Sequence, residues 1–143
     1  MSKLPKGLEQ ILSDDIYKRQ NKNEVGEALE RLDVKVSETF KEFYETYIGS
    51  FWEETVPFEL LDIVDEPNRN IETYTNICRN EHDFPKHYLV LSEMSTGTVI
   101  VLDSETDKVY KVNFEGGQEL LIRGELNESW LSFYEFLIEY FNC

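Results

Sequence analysis

Three residues with metal-binding chemistry fall close together in this chain. Cys78, His82 and His87 are spaced C-x3-H-x4-H, with Glu81 and Asp83 between them. Zinc takes nitrogen and sulfur ligands in a tetrahedral arrangement, and this spacing approaches what it uses. Three features argue the other way. No fourth ligand is evident. Pro85 breaks the segment between the two histidines. Cys78 lies beside the apolar side of a helical pattern, where a free thiol packs as a small hydrophobe. The expectation is a core cysteine, two surface histidines and no metal.

Carboxylate pairs are the second kind of chemistry. Glu53–Glu54 and Asp65–Glu66 have the residue types of glycoside hydrolysis. Adjacent residues on a strand point to opposite faces, however. With Asp plus Glu at 29, neighbouring acids also arise by chance. Nucleophilic catalysis needs a nucleophile, a base and an orienting group. There is no G-x-S-x-G, no Walker motif and no dinucleotide fingerprint, and Cys143 is the last residue. The chain reads as a protein without a reaction, a metal or a cofactor of its own.

The stretch "GSFWEETVP" offers a different function. Phe51 and Trp52 are large apolar residues in a turn-rich segment, followed at once by Glu53 and Glu54. An aromatic anchor beside acids suits an interface with a basic partner. The competing reading, preferred for the rings themselves, tucks both under the loop into the core. The candidate partner-binding residues, chosen for charge and exposure, are Trp52, Glu53, Glu54, Asp65, Glu66, Glu81 and Asp83.

Net charge supports an interface of that sign. Lys plus Arg is 14 against 29 acids, a net of −15. Residues 1–36 carry seven basic and seven acidic residues, so residues 37–143 hold the whole excess. Binding to nucleic acid or to an anionic membrane needs a basic footprint, so neither is expected. An acidic field attracts basic proteins and speeds their encounter. The same charge also serves plain solubility.

These residues need elements to position them. At 143 residues a single domain over 1–143 is expected. "LPKGLEQIL" opens with a short helix carrying Leu8, Ile11 and Leu12 on one side. "NKNEVGEALERLD" places Val25, Ala28, Leu29 and Leu32 on one helical face. Asn21 and Glu24 resemble a capping box, and Glu27 and Arg31 are spaced for an ion pair. In "SETFKEFYETYIG", Ser37 is an N-cap. Phe40, Phe43, Tyr44, Tyr47 and Ile48 form an aromatic stripe, and Gly49 stands at the left-handed C-cap position. The stripe reads as core.

"FELLDIVDE" reads as a strand ended by Pro67, and "NIETYTNICRNE" as a helix. Tyr88–Leu91 and Val99–Leu102 are unbroken apolar runs of the kind buried on both faces. "SEMSTG" between them is a hairpin loop. "DSETDK" is a second turn in which Asp107 tolerates a left-handed backbone. Lys108–Phe114 alternates as a third strand, and "QELLIRG" is assigned a short edge strand. In "NESWLSFYEFLIEYF", capped by Asn127, the residues Trp130, Phe133, Tyr134, Leu137, Ile138 and Phe141 share one broad face, so this helix must be largely buried.

The fold class expected is α+β, an antiparallel meander of 4–6 strands partly wrapped by N-terminal helices and a C-terminal helix. The N-terminus has no apolar h-region, no run reaches membrane-spanning length, and the two cysteines are far apart. A cytoplasmic protein with free thiols is expected.

The order of these blocks resembles the SUKH superfamily (the Smi-one/Knr-four family). "EVGEALERLDVKVSETFKEFYETYIG" is similar to its opening pair of helices. "FPKHYLVLSEMSTGTVIVLDSETDKVY" is similar to its central meander, and "ESWLSFYEFL" to its terminal block. Ser37 stands where the family usually has proline, and Asp107 where it usually has a turn glycine. The resemblance implies an α+β domain without catalytic residues. Bacterial members are typically immunity proteins that bind and neutralise a cognate polymorphic toxin, often a nuclease. The function expected on that basis is neutralisation of a basic protein toxin by covering its active site. The alternatives are a non-catalytic signalling or interaction scaffold, as in fungal members, and an acidic mimic of nucleic acid.

Overall fold

The computed structural model describes residues 2–94 and 97–143. Along the chain stand α1 (Leu8–Ile11), a 3-10 turn (Asp15–Tyr17), α2 (Asn23–Leu32), α3 (Glu38–Thr46) and α4 (Ile71–Glu81). Then follow β1 (Tyr88–Val90), β2 (Thr98–Asp103), β3 (Val109–Asn113), α5 (Gly117–Ile122) and α6 (Phe133–Phe141). The class is α+β. The sheet has three strands among the described residues, in the order β1-β2-β3, antiparallel throughout. The meander is therefore shorter than the 4–6 strands expected. The "SEMSTG" loop includes Ser95 and Thr96, which lie outside the described residues.

The sheet is covered on both faces, which explains its unbroken apolar runs. Leu89, Ile100, Leu102 and Val109 face the larger core, shared with α2, α3 and α6. Tyr88, Val90, Val99, Val101, Tyr110 and Val112 face the smaller one, closed by Cys78 of α4 and Leu121 of α5. The amide of Val90, at the β1 edge, donates to the Thr75 hydroxyl of α4 at 2.9 Å. A strand edge that would otherwise present open donors is thus capped by a helix side chain.

Two predicted strands are not strands. Leu60, Leu61 and Ile63 are buried, but the backbone groups of this segment go to three different partners. Leu60 pairs with Phe51, Leu61 N–H donates to Leu91 O, and the carbonyls of Asp62 and Ile63 accept from Ile71 and Glu72. Burial made this segment look like a strand, yet no ladder forms. Nor does Pro67 end one. "QELLIRG" is α5, because the Asn113 carboxamide accepts from the amides of Glu115 and Gly117 and Gly116 takes φ +118° to turn the chain into a helix. Its Gln, Glu and Leu are good helix formers.

Several local expectations also move. α3 ends at Thr46 with Tyr47 in an extended conformation, so Gly49 is not a left-handed cap. Asn21 does not box with Glu24. Its carboxamide accepts from Asn23 N–H, while Glu24 pairs with Arg19. Arg31 reaches Glu72 of α4 with two hydrogen bonds instead of pairing with Glu27. α6 is capped by Ser132, whose hydroxyl accepts from Glu135 N–H, and not by Asn127. Trp130 is outside the helix, exchanging both backbone hydrogen bonds with Val109 of β3. The buried face of α6 is therefore Phe133, Phe136, Leu137, Tyr140 and Phe141, while Tyr134 is exposed. Ser37 as N-cap and left-handed Asp107 stand as read; of the aromatic stripe, Phe40, Phe43 and Tyr44 are the buried face of α3, Tyr47 is buried beyond its end, and Ile48 is only half-buried.

Candidate functional site

The candidate site is built around the loop 52–59. Phe51 and Leu60 close its base by exchanging backbone hydrogen bonds of 2.8 and 3.0 Å. The buried Tyr140 hydroxyl pins the same base, 2.8 Å from Phe51 O and 3.1 Å from Phe58 O. Burial pushes that hydroxyl well above the ordinary tyrosine range, so it stays protonated and can donate. Gly49 leaves room for the Phe51 ring, since a Cβ there would lie 2.7 Å from it.

The two aromatic residues of the loop part company. Phe51 is buried among Phe43, Tyr44 and Phe141. Trp52 is 56% exposed. Successive side chains on extended backbone point to opposite sides, so burying one ring presents the next. The expectation that both tuck under is correct for Phe51 alone.

Arg69 ties the loop to the rest of the acidic surface. Its guanidinium meets Glu59, Glu66 and Glu93, with the Ser50 hydroxyl at 3.4 Å. Hydrogen bonding to Glu59 and then Glu93 raises Arg69 far above its ordinary range, so it is a permanent cation. Burial pushes the Glu59 carboxyl up, but hydrogen bonds from Arg69 and Ser50 outweigh it and hold it below the ordinary value. Three carboxylates share one cation, so the cluster keeps a net negative charge.

Beneath it lies a buried ion pair. Arg19 donates to Asp62, Glu24 and the carbonyl of Tyr44, with its side chain fully enclosed. Asp62 also accepts from Gly49 N–H at 3.0 Å and from Val64 and Asp65 N–H at 3.1 and 2.9 Å. One carboxylate thereby fixes both the approach to the 52–59 loop and the turn that presents Asp65 and Glu66.

Five of the seven candidate residues belong to this region: Trp52, Glu53, Glu54, Asp65 and Glu66. Glu81 and Asp83 do not. They stand at the far end of α4, whose 11 residues span roughly 16 Å at 1.5 Å each. Asp83 has φ +57° where the chain leaves that helix. Sequence reasoning missed Phe58, Glu59, Arg69, Trp130 and Glu139, which the fold brings to the same region. No local pattern marks them, because they come from four separate segments.

The cysteine–histidine set does not converge. Cys78 is buried with its sulfur 3.4 Å from that of Met94. Burial, then the charge of Glu81, pushes its thiol up to about 12, far from a reactive thiolate. His82 packs on Phe114 at 4.8 Å between ring centres. His87 instead neighbours Asp103 and Glu105, the ligand atoms of all three lying within 4.8 Å of one another. Asp103 is already engaged there, accepting from the amides of Glu105 and Thr106 to shape the β2–β3 turn. A wider cleft of about 770 Å³ opens beside His87, bordered by charges of both signs that include the Lys86–Asp33 pair.

Residues 21–139 match the model of the SMI1 / KNR4 family (SUKH-1). The chain belongs to the SMI1 / KNR4 (SUKH-1) family. No curated protein sequence gives a significant match. Membership of the SUKH-1 family is consistent with a protein of the toxin-immunity type. Among the described residues of this SUKH-1 chain, no helix is long and apolar enough to cross a membrane.

Proposed function

We propose that this SUKH-1 protein binds and neutralises a basic protein toxin, a nuclease first of all, by covering the toxin's active site without reacting. The observation that carries this reading is the acidic surface around an exposed Trp52. Glu53 and Glu54 flank it without an ion pair among the described residues, and the Arg69 cluster beside it remains net negative. Nucleases hold phosphates and so carry basic clefts. An acidic inhibitor competes for that cleft and gains fast association. The aromatic anchor adds apolar burial that charge alone does not give.

The test is made on a candidate toxin: a basic, toxin-like domain sought in the reading frames adjoining this one. Purified toxin should lose activity at one equivalent of the protein. The association rate should fall at least about tenfold between low and physiological ionic strength, as steering by exposed charge is screened. Inhibition that needs large excess, or a rate indifferent to salt, would defeat the proposal. Equal inhibition of several unrelated nucleases would instead identify a nucleic-acid mimic.

A further inference from the structure

On one side of Trp52 the surface continues into an aromatic cleft that no charge argument demands. Val56, Pro57 and Phe58 form a ridge with a depression on each flank. One, of about 180 Å³, lies between the ridge and Trp52. The other, of about 250 Å³, runs under Trp130 and is floored by Phe136 and Tyr140. One acid lines each: Glu59 the first and Glu139 the second.

The second depression already shows what it accepts. Lys111 reaches over the Trp130 ring, its ammonium 5.4 Å from the ring centre. The indole N–H of Trp130 donates to Glu139. That bond leaves the carboxylate beside the ring with acceptor capacity to spare, since a carboxylate takes about four hydrogen bonds. A cation held by an aromatic face with a carboxylate at its edge is the environment a guanidinium fills best. It stacks flat on the ring and donates in a fork to the acid, which an ammonium cannot do. Lys111 is one of the two exposed positions of the otherwise buried β3, and it makes no salt bridge among the described residues.

We propose that this face, from Trp52 across the Phe58 ridge to Trp130, is a docking surface for an arginine-bearing segment of a basic partner protein. An arginine side chain displaces Lys111 from Trp130 and pairs with Glu139, while Trp52 packs against the residues flanking it. The identity of that partner as a toxin rests on the proposed function; the arginine site does not.

The chain contains two tryptophans, Trp52 and Trp130, both on this face. Their indole N–H resonances therefore report on it alone. The full chain, labelled with nitrogen-15, is titrated with acetyl-Gly-Arg-Gly-Arg-Gly-amide and with the lysine counterpart of equal charge. Both indole resonances should move with the arginine peptide, and the lysine peptide should bind at least about threefold more weakly. Glu139→Gln keeps an acceptor for the Trp130 indole but removes the charge, and should weaken the arginine peptide about fivefold. Equal binding of the two peptides overturns the proposal. So do shifts centred on Glu81 and Asp83, or concentration-dependent shifts without peptide, which would mark a second copy of this chain as the occupant. Protection from a toxin that survives W52A and E139Q together removes this surface but leaves the immunity reading standing. Arginine binding without any protection does the reverse.

Discussion

Asp62 is the residue on which most of the local geometry converges. It is 1% exposed and serves Arg19, Gly49, Val64 and Asp65 at once. A buried pair of this kind adds little net stability, but removing one member strands the other charge in the core. Arg19→Met should therefore lower unfolding stability by about 3–5 kcal/mol, read from urea denaturation, and adding Asp62→Asn, which keeps an acceptor for the amides, should bring the total to less than the sum of the two single losses. Additive losses in the double variant would contradict the pairing. Buried thiol and phenol groups set the alkaline limit, Tyr44 and Tyr140 among them. Cys78 and Tyr88 are both pushed up to about 12, chiefly by burial, from ordinary values of 9.0 and 10.0. Their neutral forms belong to the folded state. Their contribution is complete below pH 9 and is lost as pH climbs from 9 toward 12, where the unfolded chain gives up protons that the fold retains. Denaturation midpoints should hold between pH 7 and 9 and then decline, with a shallower decline in Cys78→Ala. An unchanged slope in that variant would acquit the thiol.

Elements were legible in the sequence where one local signal sufficed. α2 and α3 follow from apolar spacing, with Ser37 as cap, and the β2–β3 turn follows from Asp107. What failed was set by distant partners. Leu60–Ile63 have a strand's residues, but Phe51, Leu91 and the start of α4 divide their hydrogen bonds. Trp130 has a helical residue's spacing to Phe133, yet Val109 holds it in extended backbone. The site shows the same division. Trp52 and its acids could be read directly, whereas Arg69, Phe58 and Glu139 join them only through tertiary packing. The correction at α6 is itself testable. Ser132→Ala should cost about 1 kcal/mol of stability through the lost cap, and Asn127→Ala next to nothing. The opposite order, measured by thermal or urea unfolding, would return the cap to Asn127.

At the scale of the molecule, two cores on either side of a three-stranded sheet hold a rigid frame. The surface proposed to work is where loop 52–59, the 64–69 turn, Trp130 and the later turns of α6 meet. Charge is distributed accordingly, with all of the −15 carried by residues 37–143. A frame of this kind needs no chemistry of its own to act on a partner. The most direct measurement of the central claim is growth of cells producing a toxin domain found in an adjoining reading frame together with this chain. The account predicts survival with the wild-type chain. It also predicts that survival fails progressively as Trp52, Glu53 and Glu54 are replaced, at unchanged soluble levels. Growth arrest despite abundant soluble wild-type protein would contradict it.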